Sequence, residues 1–389
     1  MMKKWMIISI VFAWLCCSWP IAASESTAVV SEDSLVEQAK SAYLMEMSSQ
    51  REIYAKQAGE AMYPASMTKM MGLLLIYEQI HAGELKLSDQ VTVSETAASM
   101  GGSQVYLEVG ETMSVEDLLK SICIASANDA MVAMAEKVGG THENFVTMMN
   151  EKAKELKLIN THFTNATGLH EDDHYSCAKD MALIACALVQ EGGEDLLKIT
   201  STYDAYIRED SHPFWLVNTN KLIKQLAGTD GLKTGYTSQA GSCITVTTKR
   251  DGLRLIAVVM GEPDGKTRNQ EASALMEYGF SRFEQQPLYQ KGEAIDTLYD
   301  EKGNPVEVSL VTMEDVYAVV EKGETSTIKT QEIIYEKDSP PYEPGETCAH
   351  LLITMSDGYR FRIPLSVEKE VTKASFLDLW IRSFRQMLA

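Results

Sequence analysis

Gly231-Leu232-Lys233-Thr234-Gly235-Tyr236-Thr237 is where the residue pattern of this chain changes period. From here Leu232–Thr237, Ser242–Thr248 and Leu253–Met260 read as strands, the last two joined through Lys249-Arg250-Asp251-Gly252, whose Asp-Gly pair marks a hairpin turn. A helix at about 268–280 closes the unit. Far upstream, the short strand-like runs Ala42–Met47 and Glu52–Lys56 flank the polar Ser48-Ser49-Gln50-Arg51 and predict a second hairpin. Between these two groups the period is helical: Met67–Ile80 behind Pro64, Leu118–Ile122 behind the capping pattern Ser114-Val115-Glu116-Asp117, then about 129–138, 143–156 and 178–189. Ser88–Gly110 is polar and glycine-punctuated, and reads as a long surface excursion. Strands at both ends with helices between them predict an α/β (α+β) domain over about 30–284, with one antiparallel sheet built from both of its termini.

Downstream of Gln285-Gln286-Pro287 the pattern turns to short β-prone stretches, among them Val306–Val311, Tyr317–Val320, Leu351–Met355 and Tyr359–Ile363, which predict a small all-β domain over about 287–367. The tail, 371–389, sets Phe376, Trp380, Phe384 and Leu388 four residues apart, with Lys373, Asp378, Arg382 and Arg385 on the other side. As a helix it is amphipathic and locally cationic, which suits the surface of a membrane better than the core of its own protein.

At the other end, Lys3 and Lys4 precede an apolar run from Trp5 to Trp19 and a small-residue stretch, Ala22-Ala23-Ser24, so 1–23 reads as a secretory signal peptide. With 35 Lys plus Arg against 55 Asp plus Glu, the formal charge is −20, and no basic run is long enough to hold a nucleic-acid backbone. Cys16 and Cys17 leave with the leader. Cys123, Cys177, Cys186, Cys243 and Cys348 remain, an odd number in mostly apolar surroundings and without a C-x-x-C, which predicts buried free thiols.

Three short motifs carry the chemistry. Ser66-Met67-Thr68-Lys69 opens the first helix, so a hydroxyl and an amine three residues apart share one face. A lysine in a first turn opposes the helix dipole, and if desolvated beside another cation it can deprotonate a serine. Ser126-Ala127-Asn128 falls in a break between helices, and Lys233-Thr234-Gly235 lies on the first strand of the later group. Each alone occurs by chance.

Together, in this order and on helix, loop and strand, the motifs resemble those of the penicillin-recognising serine enzymes, and most closely the low-molecular-weight D-alanyl-D-alanine carboxypeptidases. Tyr63-Pro64-Ala65, Thr164-Asn165-Ala166-Thr167-Gly168-Leu169, Asp230-Gly231-Leu232 and Tyr278-Gly279-Phe280 add to the resemblance, which spans nearly the whole chain. It implies a β-lactamase/transpeptidase-like fold, no cofactor, a peptidoglycan stem peptide ending in D-Ala-D-Ala as substrate and β-lactams as covalent inhibitors. It further implies Ser66 as nucleophile, Lys69 as its base, Ser126 as proton relay and Asn128 as holder of a substrate amide. Lys233 would supply charge and Thr234 would bind the terminal carboxylate. Gly235 would allow close approach, and the N–H groups of Ser66 and Tyr236 would form an oxyanion hole. Arg268 is a candidate second ligand for the carboxylate, with a plain surface arginine as the competing reading.

Other readings remain beside this one. A class A β-lactamase needs a deacylating Glu, and Glu155-Leu156-Lys157-Leu158-Ile159-Asn160 spaces its Asn one residue too late. His170-Glu171-Asp172-Asp173-His174 offers two imidazoles, but on a polar loop where a zinc peptidase would want a helix, so no metal is assigned. A DD-endopeptidase, or a wall-binding relative without turnover, would carry the same motifs.

Overall fold

The computed structural model describes residues 35–388; the expected leader lies outside them. The later strand group, Thr229–Thr237, Gly241–Arg250 and Leu253–Glu262, joins Ser41–Glu46 and Glu52–Lys56 in one antiparallel sheet. In space the strands run 52–56, 41–46, 253–262, 241–250, 229–237, so chain segments more than 200 residues apart are neighbours and Thr229–Thr237 forms one edge.

Strand alternation explains why both faces are covered. Along 253–260, Ile256, Val258 and Met260 enter the cluster under the helical layer, whereas Leu255, Ala257 and Val259 enter a second cluster under the helix Gly265–Arg282. A run that is apolar at every position, as 255–260 is, can be stable only between two layers. The helix Lys69–His81 is buried from Lys69 to Tyr77 and packs against the long helix Ala178–Thr200, which kinks at Gly193.

The excursion over 88–110 is more structured than its composition suggests. Gln90–Thr92 pairs with Thr112–Ser114, Glu95–Ala98 forms a helical turn, and Val91, Val93, Ala97, Val105 and Leu107 are buried. Single apolar residues set among polar ones give no periodic signal. The hairpin of Asp204–Ile207 with Phe214–Val217 was equally silent, because its polar turn carries none of the usual two-residue signals.

The second unit is all-β: a sheet ordered 294–299, 307–312, 360–367, 349–355, 328–335, plus the pair 283–289 with 316–321, around a third apolar cluster. Arg51 ties it to the first unit, with an ion pair to Asp357 (2.9 Å) and a hydrogen bond to the carbonyl of Val319, while Tyr359 donates its hydroxyl to the carbonyl of Ser49. Cys123, Cys177, Cys186, Cys243 and Cys348 are all free and buried.

In the helix Phe376–Leu388 several apolar side chains are exposed, Phe376 to 84% and Met387 to 75%, and Trp380 stacks on Phe384 of the same helix. Arg382 fastens it to the carbonyls of Glu301 and Gly303. Among the described residues no helix is long and apolar enough to cross a membrane.

Candidate active site

Ser66 lies in a short 3-10 turn, Ala65–Thr68, that runs directly into the helix beginning at Lys69. The turn is entered through Ala65 in the left-handed region (φ 48°), and Ser126 sits there too (φ 63°). Such backbone costs about 1–3 kcal/mol per residue and persists only where its surroundings impose it. Around Ser66 they do. Gly168 (φ 81°) packs so closely that a Cβ there would lie 1.8 Å from the carbonyl oxygen of Ala65, and Gly235 on the edge strand would put a Cβ 2.8 Å from that of Pro64 and 3.2 Å from the Ser66 nitrogen.

The three motifs converge. Lys69 is wholly buried, and its Nζ lies 2.8 Å from Ser66 Oγ, 2.7 Å from Asn128 Oδ1 and 2.9 Å from the carbonyl of Thr167. Two of these three neighbours can only accept, since Asn128 donates its amide N–H to the carbonyl of Gly101 at 2.6 Å and so presents its oxygen to the lysine. A neutral amine has two protons for these acceptors and one lone pair left, facing the serine hydroxyl. Burial holds Lys69 well below the usual lysine range, and the charge of Lys233 lowers it further.

Lys233, also buried, stands 2.8 Å from Ser126 Oγ and 3.1 Å from the carbonyl of Thr234. Burial, with help from the Arg268 guanidinium, brings it down to about 7. Thr234 donates its hydroxyl to Thr219 Oγ1 at 2.7 Å. Arg268 is 8% exposed, which removes the plain surface reading, and its guanidinium is steered by Asn269 Oδ1 at 2.8 and 3.1 Å. Tyr236 points outward and is largely exposed.

Several supporting groups escaped the sequence reading. Asn165 accepts the N–H groups of Thr167 and Gly168, a turn that aims the Thr167 carbonyl at Lys69; the Asn-Ala-Thr-Gly chemistry was the available signal. The buried Asp129 carboxylate accepts the N–H groups of Val105, Leu107 and Ala130 and fixes the loop whose Gly101 and Ser103 carbonyls hold Asn128. His174, weighed above as a metal ligand, has both nitrogens engaged: Nδ1 accepts the Thr164 N–H, so Nε2 donates to Thr68 Oγ1 at 2.8 Å. Burial drops it to about 4 and keeps it neutral. Among the described residues no cluster of three His, Cys, Asp or Glu could hold a metal ion.

Residues 27–264 match the family described as D-alanyl-D-alanine carboxypeptidase, and 283–373 match the penicillin-binding protein 5 C-terminal domain. The D-alanyl-D-alanine carboxypeptidase DacF of Bacillus subtilis is 43% identical over 351 residues, 90% of each chain. DacA of Escherichia coli K12 is 30% identical over 349 residues, 87% of this chain and 85% of its own. Penicillin binding protein 5 from Haemophilus influenzae superposes with a TM-score of 0.69 at 29% identity, over 86% of this chain and 98% of that one. With both units matched in order, the chain belongs to the D-alanyl-D-alanine carboxypeptidase family.

Proposed function

We propose that this chain is a serine-type carboxypeptidase that removes the terminal D-alanine from peptidoglycan stem peptides during maturation of the wall. The observation that carries this is the contact set of buried Lys69, whose Nζ lies 2.8 Å from Ser66 Oγ while its other two neighbours, Asn128 Oδ1 and the Thr167 carbonyl, can only accept. Lys69 takes the Ser66 proton as Oγ attacks the carbonyl between the two D-alanines. The N–H groups of Ser66 and Tyr236 receive the oxyanion. Ser126, held by Lys233, passes a proton to the departing amine, and water then frees the shortened peptide from Ser66. Lys233 and Thr234 hold the terminal carboxylate, with Arg268 adding positive charge behind them. Asn128 serves Lys69 first and reaches the substrate amide from the same place.

The Gly235 strand is a free edge, along which an extended peptide can lie as one more strand. A β-lactam meets the same nucleophile, but its amine stays tethered after ring opening, so the acyl-enzyme persists. Every step uses groups of this chain, and we assign no metal or cofactor.

The leader over 1–23 exports the chain, and the tail over 371–389 rests on the outer face of the cytoplasmic membrane. The uncovered apolar side chains of Phe376–Leu388 support this placement, since a docked terminal helix would hide them. Removing the tail releases the mature protein from vesicles and leaves its activity intact; continued sedimentation with vesicles would contradict the placement.

The activity is tested by D-alanine release from a peptide ending in D-Ala-D-Ala. Release is lost in Ser66→Ala and survives a chelator. Release unchanged in Ser66→Ala, or abolished by the chelator, would overturn the assignment.

A further inference from the structure

Beside the catalytic cleft stands an aromatic surface with no role in the chemistry above. In the hairpin of Asp204–Ile207 with Phe214–Val217, Tyr206 lies directly opposite Trp215, so the two side chains leave the ladder on one face. The other face packs inward through the buried Ile207 and Leu216. Tyr206 and Trp215 are 51% and 54% exposed. Trp215 is pinned, because its indole N–H donates to Asp204 Oδ2 at 3.0 Å and only the ring itself is left to offer.

The hairpin is fastened to the site at both ends. Arg208 at its turn donates to the carbonyls of Val105 and Tyr106 and pairs with Glu111, which joins it to the loop that holds Asn128. At its exit, Thr219 donates its N–H to the carbonyl of Ile124 and its hydroxyl accepts from Thr234. The aromatic pair therefore rides on an element anchored to two loops of the site, on the face opposite Phe214, whose ring meets Tyr106.

We propose that Tyr206 and Trp215 form a platform for the glycan of the wall polymer, stacking against the apolar C–H face of an N-acetylated amino sugar while the attached peptide reaches Ser66. Rigid aromatic rings give contact area at little cost in side-chain entropy, and an uncharged sugar face suits them. Charge disfavours an anionic lipid surface here: the chain carries −20, and Asp204, Glu209 and Asp210 lie on the hairpin itself. This inference rests on the carboxypeptidase reading.

The test compares D-alanine release from a free pentapeptide and from the same pentapeptide carrying the disaccharide. The mature protein favours the disaccharide form by about tenfold in kcat/KM, mainly through KM. Trp215→Ala and Tyr206→Ala lose that preference and keep free-peptide turnover within about twofold. Trp215→Phe, which keeps a flat ring, retains most of it. Stoichiometric labelling by penicillin checks that each variant is folded.

A second readout needs no turnover. Of the tryptophans, Trp5, Trp14 and Trp19 lie in the leader, so Trp380→Phe leaves Trp215 as sole reporter in the mature chain. Its fluorescence shifts saturably with a tetramer of N-acetylglucosamine and not with phosphatidylglycerol vesicles. Equal kcat/KM for the two substrates in wild type, equal loss of both in Trp215→Ala, or a response to vesicles alone would overturn the platform. Absence of release from either substrate would sink the carboxypeptidase reading instead, and the tetramer titration would still decide the platform.

Discussion

The molecule contains two five-stranded antiparallel sheets that treat buried polarity in opposite ways. Under and beside the first lie Lys69, Lys233, Asp129, Arg268, Glu46 and Glu262, all buried. In the second unit the buried polar side chains among the described residues are the hydroxyls of Thr312, Ser326 and Ser366. Burying an ionisable group opposes folding unless it is paired or neutral, and two buried lysines in one unit are the pattern that the proposed chemistry requires. The β unit has the composition of a part selected for packing and position.

Ser66→Ala and Lys69→Arg break the contrast most severely. Either lowers D-alanine release by about a thousandfold or more, because arginine stays protonated and cannot take the serine proton. Circular dichroism and the unfolding midpoint check that the fold survives. A comparable loss from any single substitution within 287–367 would erase the division between the units.

Lys233 makes the cost of buried charge measurable. Its folded value of about 7 lies below the ordinary 10.5, so between these values the unfolded chain binds the extra proton and stability rises with pH. Compared with Lys233→Met, the wild type gains about 3–5 kcal/mol across that window, read as urea midpoints at successive pH values. Parallel curves would mean that Lys233 is charged in the folded protein throughout.

In the other unit, Leu351→Ala opens a cavity under the second sheet and costs about 2–4 kcal/mol, with penicillin labelling of Ser66 unchanged below the transition. Loss of labelling alongside the β unit would show that the two fold as one. The smallest effect belongs to the joint. Arg51→Ala removes the pair with Asp357 and costs about 1 kcal/mol, seen as easier proteolysis between the units at unchanged turnover.

The same contrast explains what could be read in the sequence. Strands such as Leu253–Glu262 and helices such as Lys69–His81 announce themselves because their apolar residues repeat with a fixed period. Ser66, Lys69, Ser126, Asn128, Lys233, Thr234 and Gly235 were legible as three motifs, and the fold brings them together. What held them in place was not legible. The Thr167 carbonyl is backbone, the clamp of Asp129 on Val105 and Leu107 bridges more than 20 residues, and the bond of His174 to Thr68 spans 106. Contacts of that kind are set by tertiary approach and leave no local pattern. The partnership of Asn128 with Lys69, in place of a purely substrate-facing role, was hidden for the same reason.

The central claim is that Lys69 is a neutral base at working pH. It is tested most directly by titrating lysine ε-carbons labelled with carbon-13 in the mature protein, with the Lys69 signal assigned by its loss in Lys69→Arg. A signal that titrates well below the ordinary lysine range is the predicted result. A Lys69 that titrates near the ordinary 10.5 would be charged when it meets Ser66, and the proposed proton transfer could not begin.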